Sequence, residues 1–387
     1  MPAAERATRP LAPGGAPVHE VILKVAELCN LNCGYCYMYQ HEDQSYRARP
    51  KFISPWLYTR MLKRMREHCD AIEGHTMSLT LHGGEPTLMG VERFESMVTE
   101  ANSVLGERLR SVTMQTNATL LDERWADAIA RTGVHVGVSV DGPAEVHDAA
   151  RVDHAGRGSH ARVMEGLGML RRAGIEPGVL CVINPEHSGL ETYRYFRDHG
   201  VRRVNFLLPD VSHDNKQRLY GHLGGTPVAD YLIPIFDEWF DEDDPGIRIR
   251  VFWGLLRMLL GGRRETDAFG NGRMSYVVVE TDGSIQPLDA LRVCEDGIIE
   301  THLNVATDGF GDLDRGSPLL SDAAGGRIPL PRVCSTCRER TVCGGGYLPH
   351  RYSKAAGFDN PSVWCRDIIK LLAHLRLRLA PHVRDLS

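Results

Sequence analysis

Three cysteines near the start of the chain constrain its fold and chemistry more than any other feature. Cys29, Cys33 and Cys36 form a CxxxCxxC run directly after an apolar, strand-like segment. Three thiolates so close together can hold three irons of a [4Fe–4S] cluster and leave the fourth iron open for a small ligand. An open iron predicts an enzyme, because a closed site could not bind and cleave a reagent. Spacing alone leaves open a structural zinc site with one further ligand.

A second motif follows the next apolar stretch, 77–81. The residues His-Gly-Gly-Glu-Pro occupy positions 82–86. Gly83 and Gly84 would let the backbone approach a ligand closely, and Glu85 offers a carboxylate to an ammonium group. Taken alone, the motif would be an ordinary turn after a strand.

In this order the two motifs, with Tyr35 just before the third cysteine, resemble those of the radical S-adenosylmethionine (SAM) superfamily. The resemblance implies a SAM-binding [4Fe–4S] cluster on the three cysteines and SAM itself as cofactor, with its amino group at the Gly-Gly-Glu-Pro motif. It also implies an external electron donor such as flavodoxin or ferredoxin.

The rest of the N-terminal half alternates short β-branched runs with amphipathic stretches of helical length. This α/β pattern predicts a parallel sheet with crossover helices, and ligand sites in such folds gather at the carboxyl ends of strands. The resemblance implies a partial (β/α)6 TIM-like radical SAM barrel. Predicted strands are 21–25, 77–81, 112–115, 134–140, 178–182 and 203–207, and predicted helices lie near 55–70, 91–105, 122–131, 159–173 and 189–199.

Polar residues follow the third and fourth predicted strands. The resemblance implies that Asn117 and Ser139 line the ribose and methionine pocket of SAM, that Arg151 pairs with the SAM carboxylate, and that Val182 packs on adenine. A surface arginine and a buried strand valine are the alternatives for the last two. Asp141, followed by Gly-Pro, lies in the same region and equally fits a turn former that caps the next segment.

A second group of cysteines lies in the C-terminal region. Four thiolates form a closed site, suited to an electron-carrying [4Fe–4S] cluster or to structural zinc, and spacing alone leaves both open. The group resembles the distal auxiliary cluster of the SPASM extension found in peptide-modifying radical SAM enzymes. Its members are Cys334, Cys337, Cys343 and Cys365.

Two positions depart from SPASM proteins that carry two auxiliary clusters. Leu288 and Tyr347 stand where those proteins have cysteines, so we expect one auxiliary cluster and not two. The neighbouring Asp289 is retained, and the matching aspartate of sulfatase-maturing relatives takes a proton from the substrate. Asp289 is therefore the candidate catalytic base, with a solvated turn aspartate as the alternative.

Composition limits the setting in which such an enzyme works. The chain has 387 residues, 42% of them hydrophobic, and a formal net charge of −5 without clustered basic residues. These features predict a sizeable core and neither nucleic acid nor a membrane as partner. Seven of the ten cysteines fall into the two metal-spaced groups, which requires reducing conditions, so we expect a cytoplasmic protein.

After residue 208 the alternation of strands and helices fails. Residues 209–226 read as a linker or mobile loop, followed by helices at 228–240 and 251–260 and a hairpin around 281–283. The predicted segments are a flexible tail (1–18), the radical SAM partial barrel (19–208), a bridging region of linker, helices and hairpin (209–330), and an auxiliary cluster region with a C-terminal helix (331–387).

A narrower resemblance is to the FxsB-type branch of SPASM enzymes, carried by residues 37–50, 281–289, 343–352 and 357–365. It implies a ribosomally synthesised precursor peptide as substrate and a cyclophane as product. A deoxyadenosyl radical would remove a β-hydrogen, and the carbon radical would then bond to a nearby aromatic ring. Rival functions are a sulfatase-maturing oxidase, a thioether-forming or epimerising peptide enzyme, and a passive electron carrier or zinc protein.

Several residues have roles that the sequence leaves open. His350 and Arg351 either guide the peptide or pack near the second cysteine group. Cys69 and Cys181 are expected to be buried, and a substrate-facing role for Cys294 stays open.

Overall fold

The computed structural model describes residues 17–263, 268–270 and 274–384. They form two compact units. The first comprises the described parts of 1–139, 151–177 and 273–328, and the second those of 140–150, 178–272 and 329–387. These units do not coincide with the four predicted segments, whose boundaries stay a prediction.

The predicted strands and helices of the N-terminal half are all present, with end points shifted by a few residues at most. In chain order the strands and α-helices are β1 (Glu20–Ala26), α1 (Pro55–Asp70), β2 (Met77–Gly83), α2 (Val91–Leu105), β3 (Leu109–Thr116), α3 (Glu123–Thr132), β4 (His135–Ser139), α4 (Ala144–Asp148), α5 (His160–Arg172), β5 (Gly178–Val182), α6 (Gly189–Asp198), β6 (Arg203–Leu207), α7 (His213–Tyr220), α8 (Pro227–Glu242), β7 (Arg248–Ile249), α9 (Arg250–Leu259), β8 (Tyr276–Val279), β9 (Ile285–Gln286), α10 (Pro318–Gly325), α11 (Arg340–Cys343) and α12 (Cys365–Arg384).

The first unit is built on a sheet with strand order β4-β3-β2-β1-β8-β9. Its strands are parallel except β9, which pairs antiparallel with β8. The sequence predicts the hairpin but not its place, since β8 extends the sheet by pairing in parallel with β1. This pairing brings the segment after β9 to the part of the sheet that carries the cysteine loop.

Local sequence signals explain why the helices of the first unit begin and end where they do. The Ser54 side chain accepts a hydrogen bond from Leu57 N at the start of α1, which also has proline in its first turn. Asp122 does the same for Trp125 N at the start of α3, and α3 stops at Gly133, which has a φ of 67°. Such caps satisfy backbone groups that a helix end leaves without partners.

The second unit contains the parallel strands β5, β6 and β7 in that order, with helices around an aromatic core. Phe236, Phe252 and Trp364 are fully buried, as expected for large apolar side chains in a core. Trp253, in contrast, is 47% exposed.

The prediction of a linker at 209–226 is wrong in part, because helix α7 occupies His213–Tyr220. The segment has few apolar residues, so hydrophobic periodicity did not reveal the helix. A hydrogen bond that Ser212 N donates to Asn215 Oδ1 at 2.8 Å holds its start. Among the described residues no helix is both long and apolar enough to cross a bilayer.

Candidate active site

The cysteine loop follows the carboxyl end of β1 in the first unit. Its first turn is closed by a hydrogen bond from Cys36 N to Cys33 O at 3.1 Å, and all three cysteines are partly exposed. The Cys29 sulfur lies 3.4 Å from Leu31 N and 3.8 Å from Asn117 Nδ2, so both groups donate toward it. Donors aimed at a sulfur stabilise a thiolate, which is the form that binds metal.

The same loop is costly to ionise without a metal. Burial raises the pKa of Cys29 to about 12, with the neighbouring Glu85 and the other two cysteines acting in the same direction. The pKa of Cys36 is also raised, chiefly by burial. Each of these two thiols therefore stays protonated at neutral pH until a metal displaces its proton.

The Gly-Gly-Glu-Pro motif is packed against the backbone that leads into the cysteine loop. A β-carbon on Gly83 would lie 2.4 Å from Ala26 O, and one on Gly84 would lie 2.0 Å from Leu28 O. The following amides, Gly84 N and Glu85 N, donate to these same two carbonyls at 2.8 and 2.7 Å. The close approach that glycine permits here is therefore made by the protein's own backbone.

Glu85 is buried and holds the carboxyl ends of two strands together. One carboxylate oxygen accepts from the Thr87 amide at 3.0 Å and from the Thr87 and Thr116 hydroxyls at 2.6 Å. The other oxygen accepts from Asn117 N at 2.8 Å. Burial raises the pKa of Glu85, while these four donors oppose that rise. Its predicted contact with the SAM amino group stays a prediction.

Asn117 and Ser139 each belong to a local network. Asn117 Nδ2 donates to Asn30 Oδ1 at 2.9 Å, in addition to its approach to the Cys29 sulfur. Ser139 is half-buried, and its hydroxyl accepts from Gln115 Nε2 at 2.9 Å. Asn117 thus lies beside the cysteine loop. The predicted contacts of Asn117 and Ser139 with SAM stay predictions.

Arg151 lies over the ring of Tyr35, the loop residue between Cys33 and Cys36. Its guanidinium carbon is 5.3 Å from the ring centroid, a cation–π distance. The arginine is 8% exposed, so the alternative of a surface arginine is wrong. This contact places a fixed positive charge next to the loop, and the predicted SAM carboxylate pairing stays a prediction.

Asp141 and Val182 lie in the second unit and contact each other. Asp141 Oδ1 accepts from Val182 N at 2.9 Å, and Asp141 N donates to His147 Nδ1 at 3.2 Å. Asp141 therefore ties the segment after β4 to the end of β5. Its role as a turn former that caps the next segment stays a prediction. The adenine contact of Val182 stays a prediction.

Asp289, which follows β9, contacts Lys24 and Tyr37, and Lys24 joins it to His82. Its Oδ2 atom lies 2.6 Å from Lys24 Nζ and 2.6 Å from the Tyr37 hydroxyl. Lys24 Nζ also lies 2.8 Å from the Tyr37 hydroxyl and 3.2 Å from His82 Nδ1. Since Tyr37 directly follows Cys36, the hairpin brings the candidate base against the cysteine loop.

Sequence signals for these partners were weak but present. Lys24 interrupts the apolar strand run Val-Ile-Leu-Lys-Val-Ala. A lysine is rarely buried in a strand without a partner. The partner itself, 265 positions away, could not be named from the sequence.

The second cysteine group lies in the second unit and draws on three separate segments. Burial raises the pKa of Cys343 to about 12, and the charges of the other three cysteines raise it further. Gly344, Gly345 and Gly346 follow with φ angles of 63°, 84° and 78°. Three left-handed residues in succession are accessible only to glycine at low cost, so the Gly-Gly-Gly run turns the chain immediately after Cys343.

Two residues with open roles prove to be structural in this unit. His350 is 1% exposed, and its Nε2 atom pairs with Pro209 O at 3.0 Å. Arg351 is 3% exposed and donates to Pro329 O and Phe358 O. Neither side chain is placed to guide a peptide at the surface, so the packing alternative holds.

The three unassigned cysteines are buried. Cys69 and Cys181 are fully buried, as predicted, and Cys294 is 1% exposed. A substrate-facing role for Cys294 is therefore wrong.

The donor sets of both cysteine groups fit iron–sulfur clusters by residue type. Among the residues that the structure describes, no three His, Cys, Asp or Glu side chains are arranged around a single metal ion. The choice between iron–sulfur and zinc therefore rests on the similarity to known proteins.

Residues 23–191 match the model of the Radical SAM superfamily. The cysteine-type anaerobic sulfatase-maturating enzyme of Clostridium perfringens is 29% identical over 283 residues, covering 70% of this chain and 74% of that protein. The serine-type anaerobic sulfatase-maturating enzyme of Bacteroides thetaiotaomicron is 24% identical over 393 residues, covering 94% and 91%.

Solved structures share the fold along most of the chain. The structure of anSMEcpe with bound AdoMet has a TM-score of 0.77 at 23% identity, covering 95% of this chain and all of that one. Streptococcus suis SuiB bound to precursor peptide SuiA has a TM-score of 0.62 at 14% identity, covering 91% and 76%. At these identities the likeness shows the fold, which confirms the predicted α/β class. The matched segment, residues 23–191, with its parallel sheet and its cysteine loop, makes this chain similar to members of the Radical SAM superfamily.

Proposed function

We propose that this chain is a radical SAM enzyme that oxidises a residue of a peptide or protein substrate. The observation that carries the proposal is the contact between Asp289 and Tyr37 at 2.6 Å, which sets a carboxylate beside the loop of Cys36. Such an oxidation needs a radical source and a proton acceptor near one another. The sulfatase-maturating relatives, by their names, also act on a protein.

Cys29, Cys33 and Cys36 would hold a [4Fe–4S] cluster, with SAM near Tyr35, Glu85, Asn117, Ser139 and Arg151. Bound there, these two groups would supply the radical chemistry that takes one hydrogen atom from the substrate. The buried Arg151 guanidinium and the Gly84–Glu85 backbone hold the shape of this site.

The remaining chemistry removes one electron and one proton from the substrate radical. Asp289 would accept the proton. Cys334, Cys337, Cys343 and Cys365 would hold an auxiliary [4Fe–4S] cluster as the electron acceptor. The substrate thus loses two hydrogens in total, and a flavodoxin or ferredoxin would supply the electron that begins the cycle.

Two outcomes of this oxidation remain, and the comparisons favour the first. The relatives are sulfatase-maturating enzymes, which supports oxidation of a cysteine or serine side chain. The second is a carbon–carbon crosslink between a β-carbon and an aromatic ring in a ribosomal precursor peptide. Leu288 and Tyr347 favour the crosslink, because they replace cysteines expected in a maturase with a second auxiliary cluster.

Tandem mass spectrometry after anaerobic incubation with SAM and a reductant separates these outcomes. One substrate is a sulfatase-derived peptide with cysteine or serine at the target position, and the other is any short peptide encoded beside the gene. Loss of two hydrogens turns serine into an aldehyde, and it turns cysteine into a thioaldehyde that water hydrolyses to the aldehyde with release of hydrogen sulfide. An aldehyde at the target residue therefore supports the maturase activity. Loss of two hydrogens, with no fragmentation inside an aromatic-containing segment, supports the crosslink. Deoxyadenosine formation without change in any peptide or protein offered would contradict the proposed substrate class.

A further inference from the structure

A charged side chain lies at the centre of the parallel sheet. Lys24 on β1 is fully buried, and its ammonium contacts Asp289, Tyr37 and His82 at 2.6, 2.8 and 3.2 Å. Burying an ammonium is costly unless it is paired and hydrogen-bonded. These three partners compensate that cost, and they come from three separate segments of the first unit.

The two oxygens of Asp289 have different surroundings. Oδ2 accepts hydrogen bonds from both Lys24 and Tyr37. In the part of the chain that the structure describes, Oδ1 accepts none, and the Asp289 side chain is 14% exposed. One oxygen is thus anchored and the other is available, which is the arrangement that an oriented base requires.

We infer that Lys24 is the positioning residue for the proposed base, holding Asp289 as a carboxylate with Oδ1 available to the substrate. The inference rests on the proposed function, because a base is needed only if the substrate loses a proton. In that step the substrate radical would lose one electron to the acceptor cluster that the second cysteine group would hold. A substrate bond to hydrogen then breaks, its electron pair stays on the substrate and the proton goes to Oδ1.

The charges around Asp289 fit this role. Burial favours the neutral acid, but the Lys24 ammonium, then the charge that His82 gains in acid, and the hydrogen bonds of Lys24 and Tyr37, hold the pKa of Asp289 well below its usual range. Burial, followed by the Lys24 charge, lowers the pKa of His82 to about 4, so its ring is neutral at physiological pH. A weak carboxylate base suffices, because an oxidised radical is a cation and a far stronger acid than a carboxylic acid.

The test compares the wild-type enzyme with Lys24→Met, Lys24→Arg and the matched control Lys63→Met, which alters an exposed lysine on α1. The quantity measured is peptide product per deoxyadenosine between about pH 6 and about pH 8.5. For wild type and Lys63→Met we expect a constant ratio. Lys24→Met should lose about tenfold per pH unit below the new pKa of Asp289, and Lys24→Arg should retain most of the wild-type ratio. An unchanged, pH-independent ratio in Lys24→Met would overturn the inference.

A second measurement does not depend on activity or on the choice of peptide. Wild-type Asp289 has a lowered pKa, so its stabilising effect is present above the unfolded value of about 3.9 and is lost as pH falls through the folded value. In Lys24→Met the buried carboxyl has a raised pKa, so stability falls as pH rises through the unfolded value toward the folded one. The difference in apoprotein melting temperature should therefore be larger at about pH 7.5 than at about pH 4.5.

Equal differences at the two pH values would contradict control of Asp289 by Lys24, even if no peptide is converted. Failure of the proposed function has a different signature. In that case wild-type enzyme forms deoxyadenosine but no peptide product, while the apoprotein difference keeps its pH dependence.

Discussion

The two cysteine groups offer the same kind of ligand, a thiol, but they draw it from different arrangements of the chain. Cys29, Cys33 and Cys36 come from one short loop. From elsewhere in the first unit, Arg151 adds a cation over the loop residue Tyr35, and Asn117 adds an amide donor toward the Cys29 sulfur. The four cysteines of the second group come from a CxxC turn, the end of a short helix and the start of α12. A local three-cysteine loop leaves a coordination position for a reagent, whereas a four-cysteine site closes around its metal.

The largest expected effect separates the two groups by reaction step. Replacing Cys29, Cys33 and Cys36 together by alanine should abolish deoxyadenosine formation, because no cluster can bind SAM. Cys343→Ala should retain deoxyadenosine formation and lose the peptide product, because the electron acceptor is removed. Chromatography of deoxyadenosine and mass spectrometry of the peptide give both values. Peptide product at the wild-type level in Cys343→Ala would contradict an acceptor role for the second group.

Metal loading gives a second test, because it depends on thiol ionisation at both sites. The pKa values of Cys29 and Cys343 are each raised to about 12, chiefly by burial. Loading must displace thiol protons, so iron uptake should release protons and should strengthen as pH rises. Measuring proton release during anaerobic titration with iron and sulfide checks this. In the triple-alanine protein, with Cys29, Cys33 and Cys36 replaced by alanine, the protons released come from the second cysteine group. Iron uptake that does not depend on pH would contradict the raised pKa values of these thiols.

Replacing Glu85 tests how far this residue stabilises the fold and how far it serves SAM binding. Glu85→Gln replaces one acceptor oxygen by an amide donor that must face the backbone N–H of either Thr87 or Asn117, both of which donate to Glu85. We expect a loss of about 1–3 kcal/mol in the free energy of unfolding, together with weaker SAM binding. Apoprotein denaturation and SAM titration measure the two effects separately. Unchanged unfolding with weak SAM binding would show that the hydrogen bonds of Glu85 matter less than its charge.

Replacing a glycine beside each cysteine group should give the smallest effect. The two replacements compare the loop of Cys29, Cys33 and Cys36 with the turn that follows Cys343. A β-carbon on Gly346 would lie 2.7 Å from Ser362 Cβ, at a φ of 78°, while one on Gly34 meets nothing within 4 Å. Gly346→Ala should cost about 1–2 kcal/mol from the left-handed conformation alone, and Gly34→Ala should be close to neutral. Thermal unfolding and iron retention in the two variants check this pair. Equal losses would remove the distinction between a tightly turned loop and an open one.

Local features of this fold were predictable, and long-range pairings were not. Strands and helices up to residue 207 follow from β-branched runs, helical periodicity and caps such as Ser54 and Asp122, which are properties of neighbouring residues. The parallel pairing of β8 with β1 joins segments about 250 residues apart, and the ion pair of Lys24 with Asp289 depends on it.

The candidate site divides in the same way. Residue type and motif order are enough to single out the cysteines, Glu85 and Arg151. The stacking of Arg151 on Tyr35 and the occupation of Glu85 by four protein donors come from tertiary packing. Sequence motifs thus indicate which residues form the site, while the structure shows what each of them already contacts.

Electron paramagnetic resonance of the reduced enzyme, recorded with and without SAM, tests the contrast between open and closed sites most directly. The spectrum of the Cys343→Ala protein, which keeps only the first cluster, should change when SAM is added. The spectrum of the triple-alanine protein, which keeps only the second, should not. A SAM-insensitive signal in Cys343→Ala, or no iron–sulfur signal from Cys29, Cys33 and Cys36, would contradict the account.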